Sequence, residues 1–172
     1  YIHDVFGFTS RLNTANAAVG RVQLRHLNEW NERRRDIARR YTEKLKDVEE
    51  VRLPPMGGRD ITPVFHLFVV QTDDRDELAK HLLADGIETG VHYPVPIHLQ
   101  PVYRDAFGFS QGSYPESERQ SGRLLSLPIF PAMTDEEVDR VRRALGDRGM
   151  RLSAIGSPIG KVAVDAPLEP HL

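Results

Sequence analysis

The amino-acid sequence predicts an α/β domain in which a long amphipathic helix precedes a small sheet with helices packed on it. Three observations carry that expectation. From Arg11 to about Lys46, Leu24, Leu27, Trp30, Ile37, Tyr41 and Leu45 recur at three- and four-residue intervals with charges between them, the period of a helix with one packing face. Two short apolar runs, VFHLFVVQT (64–72) and LSLPIF (125–130), have the length and composition of buried strands. Helical patterns bounded by capping residues, Pro and Gly lie between and after them.

The elements follow in order. Pro54, Pro55, Gly57 and Gly58 end the first helix, which the pattern allows in two segments. After the strand at 64–72, Asp74 with Glu77 three residues on forms a capping-box pattern ahead of Leu78, Leu82 and Leu83, and Gly86 stops that helix. Ile87 to Tyr93 returns to strand chemistry and runs into YPVPIHLQPVY, where Pro94, Pro96 and Pro101 predict a rigid irregular loop. Gly108, Gly112 and Pro115 bracket a further loop, Pro115 opens a helix reaching Leu125, and LSLPIF follows as a strand. Thr134 with Glu137 caps a last helix carrying Val138, Val141 and Leu145.

Composition narrows the function classes. With 172 residues, 40% hydrophobic and 28% charged, the chain has the make-up of one globular domain plus an appendage. Lys and Arg number 23 against 25 Asp and Glu, a net charge of −2, so no global field draws it to nucleic acid or anionic lipid. Cysteine is absent, which excludes disulfides, thiolate metal sites and a cysteine nucleophile. The apolar runs fall short of a membrane span, and the expected location is the cytoplasm. The first residue is Tyr1, so the natural N-terminus is expected upstream.

The densest group of proton-transferring side chains is His92 and His98 with Tyr93, Gln100 and Tyr103. Flanking prolines reduce the entropy lost when such side chains converge on a ligand. The alternative is an ordered loop whose histidines bond backbone carbonyls. Zinc is disfavoured because HYPVPIH matches no helical His pair and no further ligands are evident. His66, among apolar residues, reads as a core histidine. The basic run 32–40 (ERRRDIARR) interleaves Glu and Asp at pairing distances and reads as a solvated helix face. Gly156, Gly160 and Lys161 lack the phosphate-loop pattern.

In order along about 135 residues, these segments resemble the DegT/DnrJ/EryC1/StrS family of sugar aminotransferases. GFTSRLNTANAAVG resembles the family's GFNSRLDxxQAA segment and leads into a helix rich in leucine, tryptophan and arginine. GIETGVHYPVPIHLQPVY resembles its HYP-x-PLH-x-QP-x-Y loop, and YPESERQSGRLLSLPIFPAMTDEEVDRV its closing elements. The resemblance implies the small C-terminal domain of a fold-type I, pyridoxal 5'-phosphate-dependent aminotransferase, over residues 1–147. Such enzymes are homodimers that pass an amino group from glutamate to a nucleotide-linked keto sugar, in amino-sugar and polysaccharide biosynthesis. The Schiff-base lysine of the family, with the acidic and aromatic residues that hold the cofactor, would precede Tyr1. The chain alone is therefore expected to be inactive, with no catalytic residue assigned.

By the same resemblance, Thr9 stands where the family's asparagine reaches the cofactor phosphate of the neighbouring subunit, and Asn16 where it has glutamine. Arg11, His92, Tyr93 and His98 match positions expected to contact substrate, His98 first among them. Residues 148–172, with SAIGSPIGKV, resemble a strand and loop of the sugar phosphate isomerase/epimerase family, a TIM-barrel group. One such strand cannot close a barrel, so a poorly ordered tail, or a strand added to the small sheet, is expected, the join lying between about Met133 and Met150. Two other readings stay open. The chain is a non-catalytic interaction module for a lysine-bearing subunit, or a truncated fusion with an isomerase whose metal ligands lie beyond Leu172.

Overall fold

The computed structural model describes residues 2–5, 7 and 12–155, with side chains to residue 146. The long helical pattern forms two helices, α1 (Thr14–Gln23) and α2 (Leu27–Leu45), joined by a 3-10 turn at Leu24–His26. Asn13 caps α1 by accepting a bond from the Asn16 amide at 2.8 Å. The predicted stripe buries only in its second half. Ile37, Tyr41 and Leu45 are fully buried, whereas Leu24 is 66% exposed and α1 buries no residue.

The sheet is a two-stranded antiparallel ladder, β1 (Phe68–Gln71) on β2 (Leu124–Leu127), in the register Phe68↔Leu127 to Gln71↔Leu124. Single bridges widen it, Arg52 beside Gln71 and Gly90 beside Ser126. The strand expected at Ile87–Tyr93 therefore contracts to one bridge at Gly90. Beyond it the His92 ring turns to the Ser126 hydroxyl and Pro94 has no amide to pair. The strand expected from Val64 begins four residues later. Phe65 has a positive φ of 49°, and the carbonyls of Phe65 and His66 accept bonds from Arg34 in place of a strand partner. His66 is exposed, not a core histidine.

The remaining helices are α3 (Arg75–Ala84), α4 (Pro101–Phe107), α5 (Pro115–Ser121) and α6 (Asp135–Ile155). α3 starts after Asp74 as expected, but the Asp74 carboxylate makes no capping bond. Gly86, at φ 71°, takes the left-handed conformation that ends this helix. The proline loop is more regular than predicted. Ile97–Leu99 forms a 3-10 turn, and Pro101 is the first residue of α4, where its fixed φ suits a helix start. α5 stops at Ser121 rather than Leu125 because Leu124 already pairs with Gln71. At α6 the capping box is reciprocal: the Thr134 amide donates to Glu137 at 2.7 Å and the Glu137 amide to the Thr134 hydroxyl at 3.3 Å.

The core lies between the sheet, α2, α3 and α6, with Tyr41, Phe68, Leu78, Leu82, Leu125 and Leu145 at or near zero exposure. Tyr41 stacks on Phe68 with ring centroids 4.9 Å apart. The basic run on α2 does more than face solvent. Arg35 and Arg39 pair with Glu32 and Asp36 along the helix, but Arg33 donates to the Met133 carbonyl, Arg34 to that of Ile129, and Arg40 pairs with Asp135. α6 crosses the expected boundary at 147/148 and is helical, not extended, to Ile155. The run DRVRRAL continues the helical pattern past the cap, and arginine, alanine and leucine favour helix. Residues 156–172, with Gly156, Gly160 and Lys161, lie outside the described residues. Among the described residues no helix is long and apolar enough to cross a membrane.

Candidate functional site

The loop from Gly90 to Tyr103 and the turn from Gly108 to Glu118 hold the predicted site residues. Gly90 and Ser126 exchange backbone bonds at 3.0 and 2.7 Å, which fixes the start of the loop on the outer side of β2. His92 then places Nδ1 2.9 Å from the Ser126 hydroxyl. This needs glycine at position 90, since a Cβ there would stand 2.5 Å from His92 Cε1. The His92–Tyr93 peptide is cis.

Tyr93 is 61% exposed and borders a cleft of about 530 Å³ with Val95, Ile97, Gln100, Val102, Tyr103, His3, Val5 and Gly7. The N-terminal segment is bonded to this wall. The His3 amide donates to Gln100 Oε1 at 3.1 Å, and the Val102 amide to the His3 carbonyl at 3.0 Å. The cleft is thus an apolar groove with a phenol at its rim, able to hold a flat or sugar-like group by stacking and hydroxyl bonding.

His98 is placed differently. It is 6% exposed, and its Nε2 lies 2.9 Å from Glu118 Oε1. Tyr114 and Phe109 meet its ring edge-on at centroid distances of 4.9 and 6.4 Å. Glu118 also accepts from the Gly112 amide at 2.9 Å and the Tyr114 amide at 3.3 Å. These donors, Gly112 first, then the His98 ring and the Tyr114 amide, hold the Glu118 carboxyl below the usual carboxylate value.

The structure therefore divides the predicted histidine cluster. Tyr93, Gln100 and Tyr103 share the cleft, while His92 faces Ser126 and His98 faces Glu118. Among the described residues neither histidine bonds a backbone carbonyl, contrary to the simpler expectation; each ring meets a side-chain oxygen instead, His92 that of Ser126 and His98 that of Glu118. Thr9 and Arg11 lie outside the described residues. Glu118 and Ser126 were not singled out from the sequence. Glu118 lies in the first turn of the helix that Pro115 opens, where acidic residues are favoured, but its histidine partner is 20 residues upstream and no local pattern joins them. Among the described residues no three His, Asp or Glu side chains converge as metal ligands would.

Comparison with known proteins gives these features a context. A model of the DegT/DnrJ/EryC1/StrS aminotransferase family matches residues 1–146. The chain is 44% identical over 141 residues to the erythromycin biosynthesis sensory transduction protein EryC1 of Saccharopolyspora erythraea, covering 82% of this chain and 38% of that protein. It is 41% identical over 152 residues to dTDP-3-amino-3,4,6-trideoxy-alpha-D-glucose transaminase of Streptomyces venezuelae, covering 88% and 40%. Among solved structures, S. venezuelae DesV in complex with a ketimine intermediate superimposes with a TM-score of 0.75 at 42% identity, over 86% of this chain and 39% of that one. The chain thus spans well under half the length of these relatives.

Proposed function

We propose that this chain, which belongs to the DegT/DnrJ/EryC1/StrS aminotransferase family, is the smaller domain of an enzyme that moves an amino group from glutamate to a nucleotide-linked keto sugar. The observation that carries this reading is the family match over residues 1–146, together with relatives named as sugar transaminases. The Tyr93 cleft supports it, for such a groove suits a sugar or base ring. In this reading His92, Tyr93, His98 and Arg11 act toward substrate and Thr9 toward the cofactor phosphate of a neighbouring subunit, in a homodimer. Tyr93 is the residue that contacts the sugar, and His92 holds the backbone that presents it.

The family implies pyridoxal 5'-phosphate, which this chain's described residues do not suit by themselves. None of the residues bordering the cleft is a lysine. Lys44 is paired with Asp139, Lys80 with Glu77, and Lys46 borders a separate groove beside α2. Amino transfer consequently requires a lysine from outside these residues, and no chemical step is assigned to the chain alone. The exposed apolar side chains of α1, the turn after it and the first residue of α2, namely Val19, Val22, Leu24 and Leu27, suit the role of a surface covered by that larger part. We take the residues after about 147, beyond the part of α6 that packs in the core, as an appendage whose SAIGSPIGKV resembles the sugar phosphate isomerase/epimerase family.

A graft tests the proposal. Residues 1–146 replace the matching segment of the S. venezuelae transaminase, and glutamate-dependent amination of its keto sugar is followed by release of 2-oxoglutarate. Retained turnover supports the reading. A folded graft that forms its internal cofactor linkage but aminates no nucleotide-linked sugar would contradict it.

A further inference from the structure

We infer that Glu118 is a positioning residue that holds the Nε2–H of His98 and so, whenever the imidazole is neutral, leaves Nδ1 as the ring's hydrogen-bond acceptor, offered to a donor on the substrate such as a sugar hydroxyl or amine. The inference rests on the proposed contact of His98 with substrate.

The argument starts from the inventory of donors and acceptors. An ionised carboxylate only accepts, so at 2.9 Å from Glu118 Oε1 the Nε2 of His98 carries the hydrogen. A neutral imidazole has one hydrogen on its ring nitrogens, and Nδ1 is then a bare lone pair. The Glu118 carboxyl stays ionised because the Gly112 and Tyr114 amides also donate to it. Its side chain is 15% exposed and that of His98 is 7% exposed, so neither group is free to turn away into water.

With Nε2 taken by Glu118, Nδ1 is the ring nitrogen left for the proposed substrate contact. The same carboxylate shapes the approach. By holding the Gly112 and Tyr114 amides it folds the turn over His98, and Tyr114 and Phe109 close on the ring edges. Phe109 continues through Phe107, at 5.9 Å, to Tyr103 on the cleft wall, at 6.2 Å. One acid thus sets both the tautomer and the aromatic wall that leads to the cleft.

The test reads the tautomer directly. The full chain, labelled with nitrogen-15 in histidine, is examined by two- and three-bond proton–nitrogen correlation at a pH where the imidazole is neutral. The expected spectrum has a protonated Nε2 and an unprotonated Nδ1 for His98; the reverse tautomer, or a fast average of both, overturns the inference. Glu118→Gln keeps an accepting oxygen and is expected to keep the tautomer, whereas Glu118→Leu is expected to release it. In the Leu variant the Gly112 and Tyr114 amides should exchange about tenfold faster or more, the size of a lost bond to a charged acceptor. If the Leu variant does not fold, the wild-type spectrum decides alone. The two failures separate. In the graft, His98→Ala is expected to raise KM for the sugar nucleotide more than it lowers kcat. A graft indifferent to that change overturns the substrate contact, while a wrong tautomer overturns the role of Glu118 whatever the graft does.

Discussion

The Tyr41 hydroxyl donates to the Pro128 carbonyl at 2.9 Å, bonding the long helix α2 to the residue that follows β2. The phenol is fully buried, and burial, with the Glu137 charge in second place, pushes its pKa well above the usual tyrosine value. It therefore stays a neutral donor at any pH at which the chain is handled. Tyr41→Phe keeps the stacking on Phe68 and removes only the hydroxyl, and the expected cost is about 1 kcal/mol. Denaturant titration measures it. An unchanged midpoint would mean that water or another donor satisfies the Pro128 carbonyl.

Gly90→Ala is expected to disturb the loop through one contact. The new methyl would stand 2.5 Å from His92 Cε1 and 3.2 Å from Nδ1, so the ring must leave the Ser126 hydroxyl. The expected loss is about 1–3 kcal/mol, the range for overpacking, with a shifted His92 imidazole spectrum. Ser126→Ala should give the spectral shift with the smaller cost of one hydrogen bond, about 1 kcal/mol. A Gly90→Ala chain with the wild-type His92 spectrum would contradict this placement of the ring.

The Glu118 carboxylate makes a pH dependence. Folding lowers its pKa, through the Gly112 amide first, so it stabilises the folded chain above the unfolded value of about 4.3, and that contribution is lost as pH falls through the lower folded value. The thermal midpoint of the wild type should therefore lie above that of Glu118→Gln at neutral pH, and the gap should close as pH falls below about 4.3. Melting curves of both proteins across this window check it. A gap that stays constant with pH would mean that the ionised carboxylate contributes nothing.

The apolar face of α1 and its following turn gives a fourth expectation. Val19, Val22 and Leu24 are 56%, 55% and 66% exposed, and Leu27 is 43% exposed. Replacing all four by serine should reduce self-association of the chain in sedimentation without lowering its thermal midpoint, because all four side chains are exposed. A marked fall in the midpoint would mean that this face already packs within the chain.

Local chemistry explains what was legible in the sequence. The capping box Thr134/Glu137 and the stop at Gly86 each encode their structure within a few residues and are where the pattern puts them, while the apolar run through Val70 forms its strand only from Phe68. Pairings that depend on distant partners were not legible. His98 finds Glu118 across 20 residues and His92 finds Ser126 across 34, so the residue types marked a site while their roles came only from the fold. The strand expected at Ile87–Tyr93 shows the opposite error. Its composition suits a strand, but only Gly90 reaches β2 before the prolines turn the chain away. The exposed first half of the helical stripe has a similar cause, since an amphipathic pattern announces a face but not which part of it this chain covers itself.

The most direct measurement is on the native gene product that contains this sequence, purified from its own cells, with intact mass and glutamate-dependent amination of nucleotide-linked keto sugars determined on the same sample. The account predicts a mass at least twice the 19.5 kDa of this chain, as the 38–40% coverage of its relatives requires, and measurable amino transfer. A product of about 19.5 kDa with no amino transfer, even beside a lysine-bearing relative, would contradict it and point to a non-catalytic module.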